Sequence, residues 1–202
     1  MKKSIVILLV FYSFAIIAAE KVNELEIGDK ALLTDVNMQE VTGKSISLND
    51  VKKENGLVVM FSCNQCPFVL RWEDRYNEIK SWADKNDVGM VVLNSNYQNR
   101  SGGDSFEAMK TKAKEKGYNF YYAVDKESKL ANAFGGKTTP HVFLFDGDFK
   151  LAYKGAIDDN SKSAASVEKT YLKDAIIQVG AGKNVALAET PPVGCGIKRK
   201  VE

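Results

Sequence analysis

Cys63 and Cys66 stand two residues apart in the stretch FSCNQCPFVL (61–70), directly after an apolar run and directly before Pro67. A dithiol at this spacing can exchange disulfides, supply half of a metal site or close a short staple. A thiol attacks a disulfide only as thiolate, so an exchange site must lower one cysteine's pKa. If a strand ends at Cys63 and a helix follows, unpaired N–H groups and the helix dipole act on that sulfur. Cys63 is then the expected attacking thiol, and Cys66, one turn deeper, resolves the mixed disulfide. Pro67 suits a first helical turn, where its missing N–H costs little.

A second stretch, KTTPHVF (137–143), fits the same chemistry. Pro140 after Thr139 suggests a cis bond, which is tolerated essentially only before proline. Such a turn beside the dithiol would offer the Thr139 backbone as an edge for a substrate peptide. Substrate docking is therefore assigned to Thr139 and Pro140. A purely structural Cys63–Cys66 bridge closes too short a loop to constrain the unfolded chain much. A zinc site needs two further ligands, and the chain offers one histidine, His141, and one other cysteine, Cys195. The expectation is thiol exchange with no cofactor and no metal.

The surrounding elements must position these groups. GLVVMFS (56–62) is a continuous apolar run of buried-strand length that stops at the dithiol. After Pro67, apolar Val69, Trp72, Tyr76, Ile79 and Trp82 recur every three or four residues, the pattern of a helix with one buried face. VGMVVLNSN (88–96) reads as a second strand. DSFEAMKTKAKEKG (104–117) reads as a helix capped by Asp104, and FYYAVD (120–125) as a third strand. ESKLANAFGG is a short helix closed by glycines, PHVFLFD and KLAYKGAID form a hairpin, and SVEKTYLKDAIIQVGAG (166–182) is the last helix. Upstream, residues 31–50 read as two short strands about a turn at Thr42–Gly43, leading into a loop. Alternating strands and helices imply a central mixed β-sheet with helices on both faces. This is an α/β chain with the thioredoxin layout, an N-terminal β-hairpin extension and an extended C-terminal tail.

The chain resembles the thioredoxin-like redoxin family of exported bacterial proteins that carry an AhpC/TSA-type domain. FSCNQCPFV, LNSN, TTPHVFLFD, YKGAIDDN and PPVGCGIK carry the resemblance over roughly residues 25–198. It implies a thioredoxin fold, a redox-active pair at Cys63 and Cys66, and a cis Pro140. Two departures stand out. Peroxiredoxins carry P-x-x-x-T-x-x-C, and here Gly56 and Met60 hold the Pro and Thr places. Many thioredoxins also bury an acid near the start of the active-site strand, whereas GLVVMF has none; proton transfer would use water or an acid from another strand. Copper-delivery proteins of the Sco type are also thioredoxin-like, but their cysteines usually lie one residue further apart. That copper-binding alternative would recruit Cys63, Cys66 and His141. A thiol-dependent peroxidase is the other alternative.

The first nineteen residues stand apart from this domain. Lys2 and Lys3 precede an apolar stretch from Ile5 to Ile17 that ends in Ala18 and Ala19, a secretory signal pattern too short for a typical membrane span. Expected boundaries are a signal at 1–19, the redoxin domain at 20–183 and a tail at 184–202. The destination is the bacterial periplasm, with no membrane contact once the signal is cleaved. The two lysines account for the +2 net charge, so the remainder is neutral and offers nucleic acid no basic surface. Expected partners are protein thiols or disulfides and a redox partner that donates or accepts electrons.

Three cysteines cannot all pair within one exported molecule. Cys195 is either a half-buried thiol in a docked tail or a third redox thiol. Asn64 and Gln65 either tune the sulfurs or merely begin a helix. Asp158, Asp159 and Asn160 are either a functional loop or turn formers. Trp72, Tyr76 and Trp82 are assigned to the core or a groove.

Overall fold

The computed structural model describes residues 24–200; the signal-like segment 1–19 and its cleavage point lie outside them. A five-stranded sheet forms the centre, built from β3 (Gly56–Ser62), β4 (Val88–Asn94), β5 (Tyr121–Val124), β7 (His141–Asp146) and β8 (Leu151–Gly155) in the order β5-β4-β3-β7-β8. β3, β4 and β5 run parallel, while β7 runs antiparallel to both β3 and β8. The sheet is therefore mixed.

Every residue of β3 is buried, because the strand is covered on both sides. Val58 and Met60 face one layer, which contains α3 (Tyr76–Lys85) and α6 (Tyr171–Gly180) and includes Tyr76, Ile79, Leu172 and Ile176. Leu57, Val59 and Phe61 face the other layer, with Phe134 and Leu130 of α5 (Lys129–Phe134) and Leu48 of α1 (Leu48–Val51). The alternation follows from the two-residue period of a strand. It explains why a run that is apolar throughout folds as a central strand.

Several elements differ from the sequence expectation, each for a local reason. The hairpin of β1 (Met38–Gln39) and β2 (Ser45–Ile46) leads into α1 rather than a loop. Ser47 and Asp50 form a reciprocal capping box there, which supports a helix of only four residues. The helix after Pro67 is divided into α2 (Pro67–Trp72) and α3 by a tighter turn at Glu73–Arg75. At this break Glu73 is buried and ion-paired with Lys112 at 2.6 Å and Lys116 at 2.9 Å. The next helix, α4 (Phe106–Glu115), is capped by Ser105, not by Asp104. The last helix starts at Tyr171, because the main chain at 159 and 168–169 bonds back onto the 158–160 loop.

The tail is extended, as expected, but pinned rather than loose. Residues 188–190 run along β8, where Lys154 N–H donates to Ala188 and Thr190 N–H donates to Lys154. Gly155, at φ 139°, has no room for a β-carbon, which would meet Thr190 Oγ1 at 2.2 Å. Further on, β9 (Cys195–Gly196) pairs antiparallel with β6 (Thr138–Thr139), and Ile197 enters the core. No helix among the described residues is long and apolar enough to cross a membrane.

Candidate redox site

Cys63 follows the last residue of β3, and Cys66 is the N-cap of α2, with Pro67 as its first residue. Both sulfurs meet Thr139. Cys66 Sγ donates to the Thr139 carbonyl at 3.1 Å, and Cys63 Sγ lies 3.4 Å from the Thr139 hydroxyl. The Thr139–Pro140 bond is cis, and Pro140 leads straight into β7 beside β3. Cys66 N–H donates to Cys63 Sγ at 3.4 Å, which closes the loop between the thiols.

The dithiol loop rests on a buried polar network that no spacing in the sequence announces. Asn64 N–H donates to Asp104 Oδ1 at 2.6 Å, and its side-chain amide donates to the Gly103 carbonyl at 2.8 Å. Tyr122 OH donates to Asn64 Oδ1 at 2.7 Å, and Lys112 Nζ donates to the Asn64 carbonyl at 2.6 Å. Asn94 donates to Asp104 Oδ1 at 2.8 Å. Asn64 is therefore the anchor of the loop, whereas Gln65 is exposed. Asp104 resembles a helix cap in the sequence, but its carboxylate turns inward, where the buried Asn64 N–H needs an acceptor. It is an acid near the dithiol drawn from a loop rather than a strand.

The ionisation of the two thiols is shared, since each is the largest influence on the other. Hydrogen bonding from the Cys63 thiol, helped by Cys195, the Val69 N–H and Thr139, holds Cys66 down at about 4 despite burial. Cys63 is pushed far above the ordinary thiol range by its bond to Cys66, by burial and by the Asp104 charge. N–H groups at the helix start bear on both sulfurs, that of Cys66 on Cys63 and that of Val69 on Cys66.

The docking role expected of Thr139 and Pro140 also needs revision. An edge at Thr138–Thr139 exists, but the chain's own β9 occupies it, with Thr139 opposite Cys195. Thr139 faces both thiols and so positions them. Gly194 permits this approach, since a β-carbon there would sit 2.4 Å from the Thr139 carbonyl oxygen. Cys195 packs against the buried cluster that includes Cys66 and is itself shifted upward by burial and by that neighbour. The structure thus brings together Cys63, Cys66, Thr139, Pro140 and Cys195.

His141 does not join them. It shares the sheet face of Phe143, the face opposite Val142 and the dithiol. Its Nδ1 accepts from Lys137 N–H at 3.1 Å, and burial holds its pKa down at about 3. The copper alternative thereby loses its third ligand, and among the described residues no group of three His, Cys, Asp or Glu side chains could hold a metal ion. Asp158 has a packing role: it accepts from Trp72 Nε1 at 2.9 Å and pairs with Arg75. Trp72 and Tyr76 are core, and Trp82 lies under Lys173, whose ammonium is 4.9 Å from the ring centre.

Fold and site together define a thioredoxin-like redox protein. The sequence model of the AhpC/TSA family matches residues 27–154, and the chain belongs to that family. A search of curated proteins gave no match. Among solved structures, an uncharacterized conserved protein from Geobacillus kaustophilus is similar at 31% identity and TM-score 0.80, over 89% of this chain and 95% of that one. A hypothetical protein from Sinorhizobium meliloti 1021 is similar at 28% identity and TM-score 0.80, over 89% and 98%. A secreted Mycobacterium tuberculosis disulfide oxidoreductase homologous to Escherichia coli DsbE shares the fold at TM-score 0.53 and 12% identity, over 73% and 95%.

Proposed function

We propose that this protein is an exported thiol–disulfide oxidoreductase of the bacterial periplasm that cycles Cys63 and Cys66 between dithiol and disulfide. One observation carries the reading: two unbonded thiols share one hydrogen-bonded loop at the end of β3, and both are held by Thr139. The pair exchanges one disulfide, with the hydrogen bond between the two thiols favouring ionisation of one of them while the other closes the bond. Substrates are protein or small-molecule disulfides and thiols, and a separate redox partner resets the pair. The basic, apolar and small-residue order of the first nineteen residues supports export.

The test is dithiothreitol-driven reduction of insulin disulfides by the protein, Cys63→Ser and Cys66→Ser. Turnover by the unaltered protein that disappears in Cys66→Ser supports the reading. Absence of insulin reduction, with cysteine-dependent consumption of hydrogen peroxide instead, replaces it with a peroxidase. Export is tested by cell fractionation, and retention of the protein in the cytosol rejects it.

A further inference from the structure

Cys63 and Cys66 are 1% and 6% exposed, so neither sulfur of the proposed couple presents itself to a large partner. Cys195 is only partly buried and sits on the edge strand that pairs with Thr139, whose carbonyl holds Cys66. The tail carrying it is fixed on both sides. Ile197 N–H donates to Lys137, Lys198 N–H donates to Asn96 Oδ1 at 2.9 Å, and Thr190 is locked to Tyr153 at 2.8 Å. The third thiol is therefore held in place between solvent and the dithiol.

We infer that Cys195 is the entry point of a three-thiol relay, which passes disulfides between external partners and the buried Cys63–Cys66 pair. The inference rests on the thiol-exchange reading above and adds the route by which exchange reaches the surface. In the forward direction Cys195 attacks a disulfide R–S–S–R. Its proton passes to the Cys66 thiolate and on to the departing R–S⁻, leaving Cys195–S–S–R. Cys66 then attacks the Cys195 sulfur, expels the second R–S⁻ and forms Cys66–Cys195. Finally Cys63 attacks Cys66, its proton passes to the released Cys195 thiolate, and Cys63–Cys66 remains. Two protein thiols are oxidised and one external disulfide is reduced; one product leaves as thiol and one as thiolate, carrying the charge Cys66 began with. Each step exchanges one S–S bond for another and needs no further oxidant.

The test uses the reduced full chain with oxidised glutathione, acid quenching and peptide mass mapping. The unaltered protein should form Cys63–Cys66. Cys63→Ser should accumulate Cys66–Cys195, and Cys66→Ser should trap glutathione on Cys195. Cys195→Ala and Cys195→Ser, each shown by thermal melting to keep the fold, should form Cys63–Cys66 at least about tenfold more slowly, since access governs attack. The relay is overturned if both Cys195 variants oxidise at the unaltered rate, or if Cys66→Ser carries glutathione on Cys63. If the unaltered protein forms no Cys63–Cys66 bond at all, the exchange reading itself fails, a result distinct from failure of the relay.

Discussion

Replacing Cys63 with alanine should make Cys66 a weaker acid. The Cys63 thiol is the largest influence holding Cys66 at about 4. A hydrogen bond to a charged group contributes about 1.5–3 kcal/mol. At about 1.36 kcal/mol per pKa unit, its loss should raise Cys66 by about one to two units. Other stabilising contacts, the Val69 N–H and Thr139, stay in place. The assay is iodoacetamide labelling against pH, with Cys195→Ser in both proteins and the label at Cys66 told from that at Cys63 by fragment mass. The midpoint is diagnostic and the plateau rate is not, because intrinsic nucleophilicity falls with pKa by a Brønsted factor of about 0.4–0.5. A midpoint that stays put or moves down in Cys63→Ala would refute the reasoning.

Three further outcomes follow from the packing around the site. His141 is held neutral with its folded value down at about 3, so the stability it contributes is present above about 6.5 and lost as pH falls through the window toward 3. Between pH 7 and pH 5 the protein should lose about 2 kcal/mol more than His141→Gln in urea unfolding, and parallel losses would contradict this. Asp158→Ala takes the carboxylate from the partly buried Arg75 and strands the Trp72 indole N–H, and should cost about 3 kcal/mol by the same method; a loss under about 1 kcal/mol would show that the clamp is unimportant. Gly194→Ala places a methyl 2.4 Å from the Thr139 carbonyl oxygen, so the tail must shift. Combined with Cys63→Ser, it should abolish the Cys66–Cys195 cross-link, whereas a retained cross-link would mean that the close approach is not needed.

Much of the fold was legible because it rests on local patterns. The run GLVVMFS matches β3 from end to end, and the spacing of Val69, Trp72, Tyr76 and Ile79 gives the buried face of α2 and α3. The dithiol and the cis Pro140 were legible for the same reason, since their chemistry lies in adjacent residues. What stayed hidden depends on distant partners. Asp104 beside Ser105 reads as a cap, and only the approach of Asn64 reveals its inward role. Glu73 and Lys112 look like surface charges until α4 brings Lys112 onto the buried Glu73 at the turn between α2 and α3. Cys195 was visible as an open choice, and the pairing of β9 with β6 sets it beside Cys66.

The pH dependence of the Cys63/Cys66 reduction potential bears most directly on this picture. The protein is equilibrated with graded glutathione mixtures between pH 6 and 8, and its free thiols are counted after alkylation. With one thiol of the hydrogen-bonded pair ionised and the other protonated throughout, oxidation releases one proton per two electrons. The potential should then fall by about 30 mV per pH unit. A slope of about 59 mV would mean that both thiols begin protonated. Failure of Cys63 and Cys66 to join at any glutathione ratio would contradict the assignment of this dithiol as the redox centre.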